Sequence, residues 1–399
     1  MNLSTHPPGF VVKVVLILAL GAFAMGNAKF PILSLVPTIA ADLNSSNDAI
    51  LTAVLAYFWG GLIGAPLIAV LCRNWPKHKI LAMLSVWCFF GNLATSFATN
   101  TDMLYWLRLI SGIPHAAFLA FAGLLVCEVV PAQKRGWYLG IMLIGLSVST
   151  LIAVPFNTWL GINHGWQIAF RFVALSDILI ALFIHDLLPH DADNKTKQSI
   201  SEQLSALKNS QMWLLFGVGL CIITSMTMAW SFSLPWLFKT AKLPAYASTM
   251  VVVVLGMGFV FGQLAGGWAA DRNANRYIGL NTVWALVAPV FLLLFLFDYR
   301  LAFLGVFLVS TSFSTINVMM QIRLLQFPVT SLYLVLCLFN ACIQLGNFIG
   351  SVAGKAILHS SSPTTWVLST TVVLALMAAW FWLLAMKHNS PMPAEPSHG

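Results

Sequence analysis

Arg108 and His115 stand seven residues apart in a run, Tyr105 to Glu128, that is otherwise mostly apolar. A guanidinium is permanently charged, and an imidazole titrates at about pH 6.5 when unperturbed. These are the types that hold an anion, tune a carboxylate or pass a proton. At membrane depth a charge costs at least a few kcal/mol and faces a cavity or a partner. Seven residues on a helix return to nearly the same face, so the two side chains should point the same way. Arg108 lies roughly 9 Å along its helix at about 1.5 Å per residue. It meets an anionic or hydroxyl-rich substrate, sets the protonation of a carboxylate, or sits in a buried structural pair. His115 is a candidate proton site; the alternative is a satisfied ring packed on Phe118. Pro114 beside it loosens the local hydrogen-bond ladder.

Other polar groups occupy apolar stretches. Lys29 lies on a segment broken by Pro31 and Pro37, and Asp177 lies at a similar depth in another. A buried lone ion is costly, so a Lys29–Asp177 ion pair is the economical expectation, static or opened by a proton or substrate. Glu128 ends the Arg108 helix near Lys134, Arg135 and the Arg73–Lys79 loop; Asp271 and Arg272 end a second-half helix. Each set is a gate or simple interfacial charge. Asn340, Gln344 and Asn347 share one helical face, and Asn317 and Gln321 another. With Tyr57, Trp230 and Phe232 as aromatic walls, they line a midplane cavity or act as interhelical hydrogen-bond glue. The substrate candidates are therefore Lys29, Tyr57, Arg108, Trp230, Asn317, Asn340 and Gln344, and the proton-coupling candidates are His115 and Asp177. Arg73, Glu128, Asp271 and Arg272 are the gating candidates. Gly60, Gly61 and Gly64, with Gly256, Gly258, Gly262 and Gly266, permit close helix approach and are expected at surfaces that rock.

The elements that position these groups follow from composition. Of 399 residues, 59% are hydrophobic and only 8% charged, against about a quarter charged in a soluble domain. Twelve apolar stretches approach or exceed the length of a membrane span, about 20 residues. They run roughly 10–37, 47–72, 78–98, 103–127, 135–160, 166–187, 211–238, 246–270, 277–297, 300–322, 330–357 and 364–386. The expected fold is all-α: a six-helix bundle over residues 1–189, a cytoplasmic linker over 190–210, a second six-helix bundle over 211–388 and a disordered cytoplasmic tail over 389–399. A short amphipathic helix near Ile200–Leu207 would lie on the membrane surface or form part of a solvated linker. The first apolar stretch lacks a convincing cleavage site and is kept as a mature helix.

Charge sets the orientation. With the N-terminus inside, inner segments hold Lys13, Arg73, Lys77, Lys79, Lys134, Arg135, Lys195, Lys197, Lys208, Arg272, Arg276, Arg323 and Lys387. The outer side holds only Arg171, Lys239, Lys242, Arg300 and Lys355, so both termini are expected in the cytoplasm. The net charge of +8 is scattered through short loops, which argues against nucleic acid. No G-x-x-x-x-G-K-[ST] loop supports ATP-driven work, and no Ser stands in a G-x-S-x-G context. The six cysteines form no C-x-x-C pair, so free thiols and no metal site are expected.

Four stretches carry a family resemblance: Gly64–Leu81 with Arg73, Pro76, Lys77 and Lys79; Arg108-Leu-Ile-Ser-Gly-Ile-Pro-His-Ala-Ala-Phe118; Gly145–Gly161 with Ala-Val-Pro-Phe-Asn-Thr-Trp-Leu-Gly; and Gly267-Trp-Ala-Ala-Asp-Arg272. They resemble the major facilitator superfamily, and within it the drug:proton antiporters of the arabinose- and sugar-efflux type. The resemblance covers residues 20–190 and, in the second half, the topology and one motif. It implies a monomeric inner-membrane transporter without enzymatic activity that works by alternating access. A small organic solute would leave as protons enter, with membrane lipid around it and no cofactor beyond the proton gradient. It also favours gating for Glu128 with Arg73 and for Asp271 with Arg272. Four residues depart from the family pattern: Cys72 stands where Asp is frequent, Val154 precedes Pro155 where Gly is usual, Asn157 stands where Gly is frequent, and Lys29 lies near a position where relatives have Glu. The alternatives are an uptake symporter or uniporter for an anionic solute, and a membrane sensor with the same fold.

Overall fold

The computed structural model describes residues 7–188, 199–240, 245–295, 298–327, 331–358, 360 and 363–387. The linker expectation over 190–198 and the tail over 389–399 lie outside the described residues. The described chain is almost wholly helical. In order the helices are α1 (Pro8–Lys29), α2 (Pro31–Asp42), α3 (Asn47–Leu71), α4 (Lys77–Thr95), α5 (Thr101–Val129), α6 (Arg135–Val148) and α7 (Val154–His164). They continue as α8 (Trp166–Leu187), α9 (Ile200–Ser205), α10 (Ser210–Thr240), α11 (Ala245–Phe295), α12 (Tyr299–Leu325), α13 (Leu332–Leu358) and α14 (Pro363–Lys387).

Among the described residues ten stretches are long and apolar enough to cross a membrane, and with α4 and a second traverse in α11 they make twelve. One of the ten, Met250–Leu293, holds two traverses. The chain reverses at Asn273, whose backbone is extended (φ −162°, ψ 86°), and whose Oδ1 accepts from the Arg276 N–H at 3.0 Å. That bond makes Asn273 the N-cap of the returning helix. The other additional traverse is α4, 19 residues long but carrying Lys77, Lys79 and Asn92. The apolar surface fits lipid: Leu16, Phe90, Ile152, Leu182, Phe261 and Leu376 are all exposed.

Local chemistry sets the ends and breaks. Ser46 Oγ caps α3 at the Ala49 N–H, and Asn100 Oδ1 caps α5 at the Met103 N–H. Pro31 separates α1 from α2 just after Lys29. Between α6 and α7 the chain passes through a π-helical turn, Ser149–Ala153, which ends two residues before Pro155. Such turns widen a helix and recur at functional sites. Gly165 turns the chain from α7 into α8 at φ +98°, where a side chain would be strained. The amphipathic segment is a short helix, α9, with a Ser199–Glu202 capping box and with Ile200 and Leu204 exposed.

The close-packed glycines divide differently from the expectation. Gly60 and Gly64 meet the carbonyls of Leu109 and Ile113 on α5, and Gly258, Gly262 and Gly266 meet α12. These contacts lie within one half of the chain and build the bundles. Contacts between the halves are made by Gly61 against Gln344, Gly256 against Leu151, and Gly136 and Gly140 of α6 against Gly267 and Gln263 of α11. Spacing shows which glycines share a face, but not which neighbour that face meets.

Candidate functional site

A cavity of about 930 Å³ lies between the two halves. The first half lines it with Lys29, Phe58, His115 and Thr150, and the second with Gln263, Asn317, Asn340, Gln344 and Asn347, among others. Its mouth carries Asp48 at the start of α3 and Lys355 near the end of α13, both solvent-accessible and joined across the halves at 2.6 Å. The α6–α7 distortion belongs to the wall, since Leu146, Ser147, Thr150 and Val154 all line it. Ligand cavities of this size are mostly apolar, with a few placed polar groups.

Lys29 occupies the break between α1 and α2, and its Nζ lies 5.1 Å from the ring centroids of both Phe30 and Phe58. Two aromatic faces and the negative end of the α1 dipole stabilise an ammonium there. The expected Lys29–Asp177 ion pair does not form. Asp177 is fully buried in the first-half bundle, and its Oδ2 accepts from Asn92 Nδ2 at 2.8 Å. The two residues share a depth but not a direction: Lys29 turns to the cavity and Asp177 into its bundle. A second buried chain runs alongside, Asn157 donating to Asn27 at 2.7 Å and Asn27 to Ser176 at 3.1 Å. Asn157, in a position where the family resemblance suggests glycine, thus ties α7 to α1.

His115 and Arg108 do share a direction, and both meet Tyr57. The Tyr57 hydroxyl is 3.1 Å from His115 Nδ1, and Arg108 Cζ lies 4.4 Å from the centroid of the same ring. Only His115 lines the cavity. Arg108 is fully buried, donates from Nη1 to the Ala28 carbonyl at 3.1 Å, and lies 5.5 Å from the Phe170 centroid. Arg108 and Tyr57, expected at the substrate, lie in the layer behind the cavity wall and do not line it. The physical reason is that a guanidinium away from water turns to whatever acceptors and ring faces it can reach. Its Nε and Nη2 find no protein acceptor among the described residues, nor does Asp177 Oδ1 find a donor.

On the opposite wall, Asn317, Asn340, Gln344 and Asn347 all reach the cavity, as their spacing predicts. Asn340 is bonded to the Leu336 carbonyl, Asn317 to Gln321, and Asn347 to Thr227. Gln344 Nε2 and Gln263 Oε1 are buried without a protein partner among the described residues. Gln263 was not anticipated, because it stands among glycines without a polar repeat to mark it. The Trp230 side chain lies outside the described residues; Phe232 is buried.

At the far end from the mouth the halves touch through charge. Glu128 pairs with Lys77 at 3.0 Å, and Lys77 also lies 5.6 Å from the ring centroid of Tyr333 in the second half. Asp271 accepts from the backbone N–H groups of Gly136 at 2.6 Å and Trp137 at 2.8 Å. These are the first free amides of α6, so a second-half carboxylate caps a first-half helix. The corresponding first-half position is Cys72, a buried thiol. Arg272 does not share this cap: it stacks on Trp268 at 4.0 Å. Arg73 bonds the Val70 carbonyl. Which of Arg73, Lys77 and Lys79 reaches Glu128 depends on how α4 begins, which residue types do not reveal. All six cysteines are free thiols. Among the described residues no group of three His, Cys, Asp or Glu side chains is placed to hold a metal ion.

The family model described as Major Facilitator Superfamily matches residues 18–327. The chain belongs to the major facilitator superfamily. It is thus a multi-pass membrane transport protein and not an enzyme. Among curated major facilitator relatives it is similar to "Putative transporter AraJ" of Escherichia coli (strain K12), 24% identical over 96% of this chain and 97% of that one. It is also similar to "Probable sugar efflux transporter" of Helicobacter pylori (strain J99 / ATCC 700824), 20% identical over 88% and 89%. Among solved structures, the proton:xylose symporter XylE bound to 6-bromo-6-deoxy-D-glucose superposes with a TM-score of 0.74 at 13% identity, covering 96% of each chain. That likeness shows the major facilitator fold alone.

Proposed function

We propose that this chain is a secondary transporter that expels a small organic solute from the cell by alternating access, with protons entering in exchange. The observation that carries the reading is the cavity between the halves, open at the Asp48–Lys355 end and closed at the other by contacts that two rigid bundles can make and break. The bundles are the two six-helix units read from the sequence, and the chain works as a monomer in the inner membrane, surrounded by lipid. Positive-inside charge puts both termini in the cytoplasm, so the open end faces outward. Efflux is supported by the likeness to the Helicobacter pylori relative named as a probable sugar efflux transporter. The proton gradient is the driving force, and no cofactor is needed.

The roles follow from placement. Lys29, Asn317, Asn340 and Gln344 meet solute in the cavity. His115 is the cavity-facing proton site, with Tyr57 and Arg108 packed behind it, and Asp177 is a second proton site buried in the first-half bundle. Glu128 with Lys77 and Arg73, and Asp271 beside Arg272, form the cytoplasmic gate. Binding moves such an equilibrium only when solute or proton prefers one arrangement. The test is purified protein in liposomes under an imposed pH gradient, with a panel of radiolabelled solutes. Solute movement against its own gradient, abolished by a protonophore, supports the reading. Equal movement with and without the gradient would leave a uniporter, and no movement of any solute would favour a sensor.

A further inference from the structure

The cavity has a pronounced charge asymmetry. Among the described residues the lining contains three charged side chains, Lys29, Asp48 and Lys355, besides the titratable His115. Asp48 and Lys355 face each other at 2.6 Å, so the mouth is internally neutral. That leaves Lys29, which has no carboxylate within ion-pair distance among the described residues, lies 5.1 Å from two ring centroids and shares the chamber with His115. The sequence offers little else. Of its twelve acidic residues, Asp177 alone lies deep in a span, and it is turned into its bundle toward Asn92. An ammonium held ready, part-way down an apolar chamber, is complementary to one negative charge on a solute.

The rest of the chamber specifies the body that carries this charge. Phe58, Phe259 and Phe313 supply aromatic wall, and the space suits a drug-sized molecule. On the second-half wall, Gln344 and Gln263 line the chamber, and Gln344 Nε2 and Gln263 Oε1 are a donor and an acceptor without protein partners among the described residues. Buried amide atoms of this kind are costly unless bonded, so they favour a solute bearing a hydroxyl, carbonyl or amide at its uncharged end.

We infer that the transported solute is an amphipathic organic monoanion, its carboxylate or equivalent group seated on Lys29 between Phe30 and Phe58 and its uncharged polar end on Gln344 and Gln263. This rests on the transport reading above and names the substrate class for the same cavity. A dianion would leave one charge unmatched, and an organic cation would meet Lys29 with repulsion.

The experiment uses the full-length protein in detergent at pH 7.5 and matched triplets of one body with three head groups: 4-phenylbutyrate, 4-phenylbutyramide and 4-phenylbutylamine, and the same three heads on hydroxyphenyl and naphthyl bodies. Binding is read as a saturable rise in Tm. For at least one body the carboxylate should bind at least about tenfold more tightly than its amide, and the amine least, as charge-assisted pairing requires. Lys29→Gln should bring carboxylate and amide to equal affinity, Lys29→Arg should keep the preference, and Lys29→Glu should reverse it toward the amine. Equal binding of carboxylate and amide by the wild type overturns the inference without any variant. So does an undiminished preference in a folded Lys29→Gln protein, or no saturable binding by any carboxylate. Lys29-dependent binding without gradient-driven movement would instead overturn the transport reading and leave the charge reading standing.

Discussion

Replacing Asp271 by Asn should loosen the closed end of the cavity. The carboxylate holds two amides of α6, Gly136 and Trp137, at 2.6 and 2.8 Å. Asn keeps one acceptor oxygen, loses one of the two bonds and removes the charge facing the helix dipole. A hydrogen bond to a charged group contributes about 1.5–3 kcal/mol, and a charge at a helix N-terminus about 0.3–1 kcal/mol. Asp271 is only partly buried, so solvent screening argues for the lower end, about 1.5 kcal/mol in all. That corresponds to about a tenfold rise in the population open at this end. Cys72, a buried thiol at the end of α3, reports on it. The rate of its alkylation by N-ethylmaleimide, followed by peptide mass spectrometry, should rise about tenfold in Asp271→Asn and return toward wild type in Asp271→Glu. An unchanged Cys72 rate in a variant that melts at the wild-type temperature would refute the idea that this cap holds the halves together.

Gly267→Ala would put a Cβ 2.5 Å from the Gly136 carbonyl oxygen across the halves, so it should raise Cys72 alkylation at least as much as Asp271→Asn; overpacking of this sort costs about 1–3 kcal/mol. Lys77→Met removes one partner of Glu128 and the cation beside Tyr333, and a several-fold rise in the same labelling rate is expected, with Glu128→Gln giving a smaller one because Glu128 is partly exposed. His115→Gln should cut pH-driven solute movement at least about tenfold while solute counterflow persists, because the imidazole titrates and an amide does not; equal losses of both would mean a structural role. Trp166→Phe removes the 2.7 Å indole bond to Asp42 that joins α8 to α2, and should lower Tm by an amount equivalent to about 1–2 kcal/mol.

Much of the fold was legible because membrane insertion imposes a simple rule: each crossing needs about 20 apolar residues with internally satisfied backbone. Composition and run length therefore yielded twelve crossings, and the residues quoted for the family resemblance lie in a chain that belongs to that family. Helical spacing also worked where it asks only which residues share a face. Asn340, Gln344 and Asn347 reach the cavity together, and Arg108 and His115 both meet Tyr57. It failed where the question was which neighbour a face meets. Asp177 chose Asn92 over Lys29, and several of the expected interface glycines proved internal to a bundle.

The sequence by itself determined that this chain lives in a membrane, how often it crosses, and that it keeps costly charges there, because these depend on residue type and distance along the chain. Only the tertiary structure decided that Lys29 faces a chamber while Arg108 and Asp177 stay behind its wall, and that Asp271 of one half caps a helix of the other. Those outcomes depend on the rotation of each helix about its axis and on which helices become neighbours. Both are set by the packing of all the helices together, so no single stretch encodes them.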